Sequence, residues 1–429
     1  MSLHTYRIAL SLIVLAALGV RLTVIERFVG LGAPIAHEDG LDQLDYELLA
    51  WRLADGRGYT LEDGQPTARR TPGTPLLLAP VYALCGRSPL AARLWFAVLS
   101  AATCAVAAWL VERSCGRGTA LVAAALLAVN PGAFYYTLHI WSEAPYGFFV
   151  ALGTLLSIEA WRREGRGVGL AALAGACCGV ALLIRPQVVF CLPLVVLSLW
   201  WLPLAARWRA VRQLAVQGAV VAAMVLPWVV RNAVVMGKPC LATVVGPMTF
   251  WGAHNEVSLT DPQWRGRWDI PDHLVSDELR QADEITKGEM ATDQAWASLR
   301  THADQIPILL AAKLYWLVTP FEPTTNRGVY WSFALAWIVT GPLFVIGLRE
   351  LVRRDPALAV QILCHAGGVV LGTLLFYGAA RFRHAIEPLL MASTAVGLVW
   401  CLERIRQITA AALARVGTRH RTSVPSAGR

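Results

Sequence analysis

Residues 91–138 read AARLWFAVLSAATCAVAAWLV (91–111), ERSCGRG (112–118) and TALVAAALLAVNPGAFYYTL (119–138). Two apolar runs, each about 20 residues long, match the hydrocarbon thickness of a bilayer and flank a short basic turn. The pattern repeats outward. Further apolar runs cover 6–28, 144–160, 169–184, 187–204, 214–231, 329–348, 357–378 and 385–402. The chain is 56% hydrophobic and 16% charged over 429 residues, with a mean hydropathy of +0.50. A soluble fold carries about 25% charged residues, so a water-soluble enzyme and a disordered chain are both excluded. The expected fold class is an all-α polytopic membrane protein. It has about ten transmembrane helices, or eleven if 306–321 also crosses.

Charge sets the orientation. The net charge is +9, from 38 basic and 29 acidic residues. The excess lies in turns such as 112–118, 161–169, 205–213 and 349–354, as the positive-inside rule requires of cytoplasmic loops; nucleic acid is not implied. The short segments 139–143 and 185–186, which alternate with those turns, then face outward. So do two long polar stretches, about 31–88 and 232–306. The run 306–321 is short and interrupted by Lys313. If it lay in the outer interface, 349–354 and the basic tail would both face the cytoplasm, so ten spans are preferred. The expected organisation is a membrane domain over 1–405 and a basic, disordered cytoplasmic tail over 406–429. The first run, with its basic flank, reads as a retained span. The nine cysteines form no CxxC pair, and Cys85 and Cys240 are the only outward-facing candidates for a bond.

The chemistry-bearing residues gather in the outward segments. The first stretch holds His37-Glu38-Asp39-Gly40-Leu41-Asp42-Gln43-Leu44-Asp45-Tyr46 and closes on Arg69-Arg70-Thr71-Pro72-Gly73-Thr74-Pro75-Leu76. Leu41, Leu44, Leu48 and Leu49 predict one apolar helix face, with Asp42 and Asp45 on the neighbouring face. Any one aspartate here is as well explained as a helix cap. An acidic patch followed by paired arginines at a membrane rim suits group transfer from a lipid phosphate. A carboxylate takes the acceptor proton, and guanidiniums hold the phosphate. Glu143 and Arg185 sit at outer junctions, where capping and snorkelling are the plain alternatives. Trp251, His254 and Asn255 read either as an interfacial belt or as a sugar-stacking site. Arg381, Arg383 and His384 break the positive-inside rule, which points to an anionic ligand or to pairing with a carboxylate.

These pieces, in this order, resemble the GT-C glycosyltransferases. The likeness is to bacterial proteins of the dolichyl-phosphate-mannose protein mannosyltransferase type (glycosyltransferase family 39) and to lipid A aminoarabinose transferases. The matching residues are 42–46, 54–59, 70–76, Ser142-Glu143, Arg185-Pro186, the Pro227-Trp228-x-x-Arg231-Asn232 run, Trp251-Gly252 and Arg381–His384. The resemblance implies an inverting hexosyl- or pentosyltransferase of the bacterial cytoplasmic membrane, with both termini cytoplasmic. It implies a polyprenyl-phosphate sugar as donor and an acceptor hydroxyl on protein, glycan or lipid. Asp42 matches the catalytic base, with Asp45 or Asp39 as alternatives. Arg70 matches the donor-phosphate ligand, joined by Arg69, Arg381, Arg383 and His384. Glu143, Arg185, Tyr46, Trp251, His254 and Asn255 are the expected substrate contacts. No metal is demanded, although Mg²⁺ held through water fits the first-stretch carboxylates. A transporter or flippase of lipid-linked sugars, or a membrane scaffold, is the competing reading.

Overall fold

The computed structural model describes residues 1–36, 41–163, 166–241, 243–321 and 326–422. Asp39 and the tail residues 423–429 lie outside these. Every regular element among the described residues is helical, and one isolated bridge pairs Thr60 with Pro66.

α1 (Leu3–Phe28) starts at Ser2, whose hydroxyl accepts from the Thr5 N–H at 3.1 Å. Arg21 lies fully buried along it. Its charge is tolerated because Nε donates to Ser100 Oγ at 2.7 Å and Nη1 to the Ala17 carbonyl at 3.0 Å. α2 (Leu41–Ala54) and α3 (Gly73–Cys85) precede α4 (Pro89–Val129), which holds two passes. It breaks at Gly116, whose φ of 85° suits only glycine. The expected span 119–138 stops early. Pro131 cannot continue the helix, and Asn130 caps the short α5 (Pro131–Tyr135) by accepting from Ala133 N–H at 3.1 Å. α6 (Glu143–Arg162) and α7 (Val168–Ile184) follow. The next pass is α8 (Leu192–Ser198) between two 3₁₀ segments, Pro186–Cys191 and Leu199–Trp201. A 3₁₀ turn rises about 2.0 Å per residue, so few residues reach far.

α9 (Leu204–Met236) leads to α10 (Gly246–Gly252), α11 (Glu256–Thr260), α12 (Asp277–Gln281), α13 (Glu284–Thr301) and α14 (Ile306–Val318). α15 (Arg327–Arg354), α16 (Pro356–Leu375), α17 (Arg381–His384) and α18 (Glu387–Thr422) complete the chain. α18 runs on through 406–422, where the sequence predicts disorder. That stretch is rich in alanine and arginine, both strong helix formers. Among the described residues, six helices are long and apolar enough to cross a membrane: α1, α4, α9, α15, α16 and α18.

Ion pairs and hydrogen bonds identify the two ends of the bundle. At the basic end Arg117 donates to the Met1 carbonyl at 3.0 Å, Arg113 meets Glu159 at 2.9 Å, and Arg162 meets Asp355. At the loop end Asp42, Arg70, Glu143, Arg185 and Arg381 meet. Among the described residues, α1, the two halves of α4, α6, α7, the 186–201 segment, α9, α15, α16 and α18 alternate between these ends, giving a multi-pass membrane bundle of ten passes. α14 does not alternate. Arg265 Nη2 reaches Gln305 Oε1 at 3.5 Å just before α14, and the Arg265 carbonyl accepts from Trp316 Nε1 at 2.9 Å near its far end, so α14 lies across the loop end. α15 and α18 pack backbone to backbone. A Cβ on Gly347 would lie 1.8 Å from the Ser393 carbonyl oxygen, and one on Gly397 2.0 Å from that of Leu343. The two long polar stretches are largely helical. The first holds α2 and α3, and the second holds α10–α13 around a small core of Trp251, Leu279, Ala291 and Ala295.

Candidate active site

α2 buries Gln43, Tyr46, Glu47 and Ala50 at helical spacing, together with Leu49. That face differs from the predicted leucine stripe: Leu44 and Leu48 are only half-buried. The difference comes from Glu47, whose two oxygens accept from Arg87 Nε at 2.8 Å and Nη2 at 2.7 Å, so a carboxylate can stand in the packed face. Asp42 and Asp45, one turn apart, are turned toward the rim of the bundle.

The arginines that meet them come from an irregular segment held on all sides. The Tyr59 hydroxyl donates to the carbonyls of Arg70 at 3.0 Å and Thr71 at 3.2 Å. Arg231 of α9 donates to the Thr67 carbonyl at 2.6 Å and that of Tyr59 at 3.0 Å. Glu284 of α13 accepts from Thr67 Oγ1 at 2.6 Å and Ala68 N–H at 3.1 Å. Thr243 donates to the Arg69 carbonyl at 2.6 Å, and Thr71 Oγ1 donates to Ile184 O at 2.7 Å. Gly73 touches the end of α7 so closely that a Cβ would lie 2.5 Å from Ile184 N. These contacts tie the residues that follow Arg70 to Ile184, which precedes Arg185.

The result is one continuous chain of charges. Arg69 Nε lies 3.3 Å from Asp45 Oδ2, which also meets Arg70 Nε at 2.7 Å. Arg70 Nη1 meets Asp42 Oδ1 at 2.8 Å, and Asp42 Oδ2 meets Arg381 Nη2 at 3.3 Å. Arg381 Nε then reaches Glu143 Oε1, which Arg185 Nη1 also contacts. Arg185 donates to Ser142 Oγ at 3.1 Å as well. Arg381 lies over the Trp141 ring at 5.2 Å, and Arg70 over the Tyr46 ring at 5.9 Å. Among the described residues, four guanidiniums against three carboxylates leave one positive charge over. Burial opposes the charge on Arg70, but Asp42, Tyr46 and Asp45 outweigh it and raise its pKa above the ordinary arginine value. Burial likewise opposes Arg381, and Glu143 and Asp42 carry its pKa well above that value. Burial, then Asp42, raises the Tyr46 pKa and keeps the phenol protonated. Glu143 is buried, and its Oε2 has no hydrogen-bond partner among the described residues.

Thus Asp42, Asp45, Arg69, Arg70, Glu143, Arg185 and Arg381 come together, with Tyr46 beneath them. The other expected residues stand elsewhere. Arg383 is buried and donates to the carbonyls of Leu317 at 2.8 Å and Thr319 at 2.7 Å, at the end of α14. His384 Nδ1 meets Glu387 Oε2 at 2.6 Å, and Glu387 Oε1 accepts from Asn130 Nδ2 at 2.8 Å. Trp251 is a core residue of the 232–306 segment. His254 Nδ1 donates to the Phe250 carbonyl at 2.8 Å, which leaves Nε2 to accept from Lys313 Nζ at 2.7 Å. Asn255 caps α11 and donates to the Asp269 carbonyl at 2.6 Å. Asp42 gives both oxygens to arginines, and Asp45 gives Oδ2 to two of them. Among the described residues no group of three or more His, Cys, Asp or Glu is arranged to hold a metal ion. All nine cysteines are free, Cys85 and Cys240 included.

Residues 69–230 match the family model described as dolichyl-phosphate-mannose-protein mannosyltransferase. No curated protein matches the chain by sequence. Among solved structures, the chain is similar to the archaeal oligosaccharyltransferase AglB from Archaeoglobus fulgidus in complex with an inhibitory peptide and a dolichol-phosphate. The identity is 12% and the TM-score 0.56, over 99% of this chain and 52% of that one. The apo form of the A. fulgidus oligosaccharyltransferase gives 13% identity and a TM-score of 0.59, over 96% and 52%. The fold is of the GT-C type. ArnT from Cupriavidus metallidurans, bound to undecaprenyl phosphate, shares 16% identity over 90% of this chain and 77% of that one. Its TM-score is 0.43. The chain spans about half the length of the oligosaccharyltransferases it matches. The matched segment 69–230 opens at the Arg69-Arg70 pair and closes beside Arg231, which clamps the segment carrying that pair.

Proposed function

We propose that the chain is an integral-membrane inverting glycosyltransferase. It moves a sugar from a polyprenyl-phosphate donor to an acceptor hydroxyl at the outer face of a bacterial cytoplasmic membrane. The carrying observation is that Asp42 is bridged between Arg70 and Arg381, residues far apart in sequence, at the bundle end opposite the basic turns. That end is the outer one under the positive-inside rule. The excess of one positive charge in the cluster complements the single negative charge of a phosphodiester. AglB was solved with a dolichol-phosphate.

In this reading Arg70 and Arg381 hold the donor phosphate, and Asp45 and Glu143 orient those two guanidiniums. Asp42 needs an open oxygen to act as a base, yet both of its oxygens face arginines. Donor phosphate competes for the same N–H groups and frees one. The acceptor oxygen then attacks the anomeric carbon from the face opposite the phosphate. Its proton passes to Asp42, the bond from carbon to the phosphate oxygen breaks, and polyprenyl phosphate leaves with the electron pair. Arg70 and Arg381 stabilise the charge that develops on that oxygen. Glu143 and its partner Arg185 are the proposed contacts for the sugar hydroxyls.

The test is to reconstitute the chain with a polyprenyl-phosphate sugar and the acceptor extract, and to measure free polyprenyl phosphate and sugar translocation in the same vesicles. Release of free lipid phosphate without translocation is expected. Translocation of intact donor without release contradicts the transferase and supports a flippase.

A further inference from the structure

The basic end of the bundle carries a cavity of about 430 Å³, remote from the charge chain just described. Three turns of the fold build it. Arg113 comes from the break in α4, Trp161 and Arg162 from the end of α6, and Arg354, Asp355 and Ala357 from the α15–α16 turn. Among the described residues, three guanidiniums and one carboxylate line it. The carboxylate is already engaged: Asp355 pairs with Arg162 and caps α16, accepting from Leu358 N–H at 3.3 Å. Arg162 is spent as well, since its other contact is Glu159 at 2.7 Å.

The remaining two arginines are not saturated. Arg113 gives one N–H to Glu159 at 2.9 Å and is 63% exposed. Arg354 is 42% exposed, lies no nearer than 3.8 Å to Glu350, and donates no hydrogen bond among the described residues. The N–H of Ala357, in the first turn of α16, has no acceptor within its own helix and adds the positive end of that helix's dipole. Trp161, with Arg209 stacked on it at 4.1 Å, sets the depth, because tryptophan at a span end marks the headgroup layer.

We infer that this cavity binds the phosphodiester headgroup of an anionic glycerophospholipid, held by Arg113 and Arg354 and seated against the start of α16. It is a second lipid site, at the opposite end of the bundle from the proposed donor site, and it does not depend on the reading of that site. A bound headgroup ties the α4 break to the α15–α16 turn and so braces the bundle on the cytoplasmic side, where anionic lipid is enriched.

The test uses the full chain in detergent, titrated with phosphatidylglycerol or phosphatidylcholine, with bound lipid counted by native mass spectrometry. The wild type should retain phosphatidylglycerol about tenfold better than phosphatidylcholine. Arg354→Gln should lower that retention about fivefold, and adding Arg113→Gln should lower it further. Among the described residues Arg354 makes no hydrogen bond, so its single variant keeps the test open if the double variant does not fold. Arg7→Gln, a charge removed at the same end but outside the cavity, should change nothing. Equal retention of the two lipids, or an Arg354→Gln variant that holds phosphatidylglycerol as the wild type does, overturns the inference. So does full displacement of the lipid by inorganic phosphate, which would make the free anion the ligand.

Discussion

Asp42 carries the chemistry in this account, and its two arginine contacts define what its substitution should do. Asp42→Asn keeps the shape and loses the base. Transfer should fall by about 10²–10⁴-fold, while membrane insertion and the thermal midpoint stay near wild type. An active Asn variant would move the base elsewhere. Arg70 bridges Asp42 and Asp45 with two different nitrogens, which a lysine ammonium cannot do. Arg70→Ala should lower kcat by about 10²-fold or more, and Arg70→Lys should recover only part of it, read as the rate of polyprenyl phosphate release. Arg383 belongs to a different class. It is buried against two carbonyls at the end of α14, so Arg383→Gln should cost about 2 kcal/mol of stability and lower the thermal midpoint. Donor KM in the surviving fraction should be unchanged. The sequence groups Arg381 and Arg383 because both violate the positive-inside rule. It does not show that α17 is a helical turn, on which residues two apart point to nearly opposite sides. One arginine therefore faces the charge chain, and the other faces the negative end of α14.

At the scale of elements, α14 is the least expected piece, and Lys313 explains its pose. The lysine that interrupts the apolar run is fully buried, with Nζ donating to the Leu374 carbonyl at 3.1 Å and to His254 Nε2 at 2.7 Å. Its backbone is enclosed by glycines. A Cβ on Gly378 would lie 2.2 Å from the Lys313 carbonyl oxygen, and one on Gly266 2.7 Å from its N. Burial pushes the Lys313 pKa down to about 7 from 10.5. Burial first, and the Lys313 charge second, push His254 down to about 4 from 6.5. Between about 4 and 6.5, and again between about 7 and 10.5, the unfolded chain binds the extra proton. Stability should therefore rise with pH across both windows. Thermal midpoints in detergent should show both rises, and Lys313→Met should abolish the upper one. A flat wild-type profile above pH 7 would contradict the burial of that amine. Other elements were legible from pattern alone. The alternation of apolar runs and basic turns predicts the passes, and Gly116 marks the break in α4. The face of α2 was misread because a buried Glu47 with its own arginine imitates a surface residue.

At the scale of the molecule, the GT-C fold and the Asp42, Arg70 and Arg381 cluster were within reach of the sequence. Membrane topology forces the outward segments onto one rim, and few charged residues stand there without reason. The clamp was not within reach. Arg231 stands out only as part of a short motif, and Glu284 and Thr243 look like any polar residues of a long segment. Their value comes from gripping the backbone before Arg69, a contact across more than 160 positions that no local pattern encodes. Local pattern does not separate Trp251, His254 and Asn255 either: Trp251 fills the small core of the 232–306 segment, His254 meets Lys313, and Asn255 caps α11. The most direct test of the central proposal is the structure of this chain with a polyprenyl phosphate bound. The phosphate should lie within hydrogen-bond reach of both Arg70 and Arg381, with at least one Asp42 oxygen released from arginine. A phosphate seated at Arg383 and His384, or one that leaves the charge chain untouched, contradicts the account.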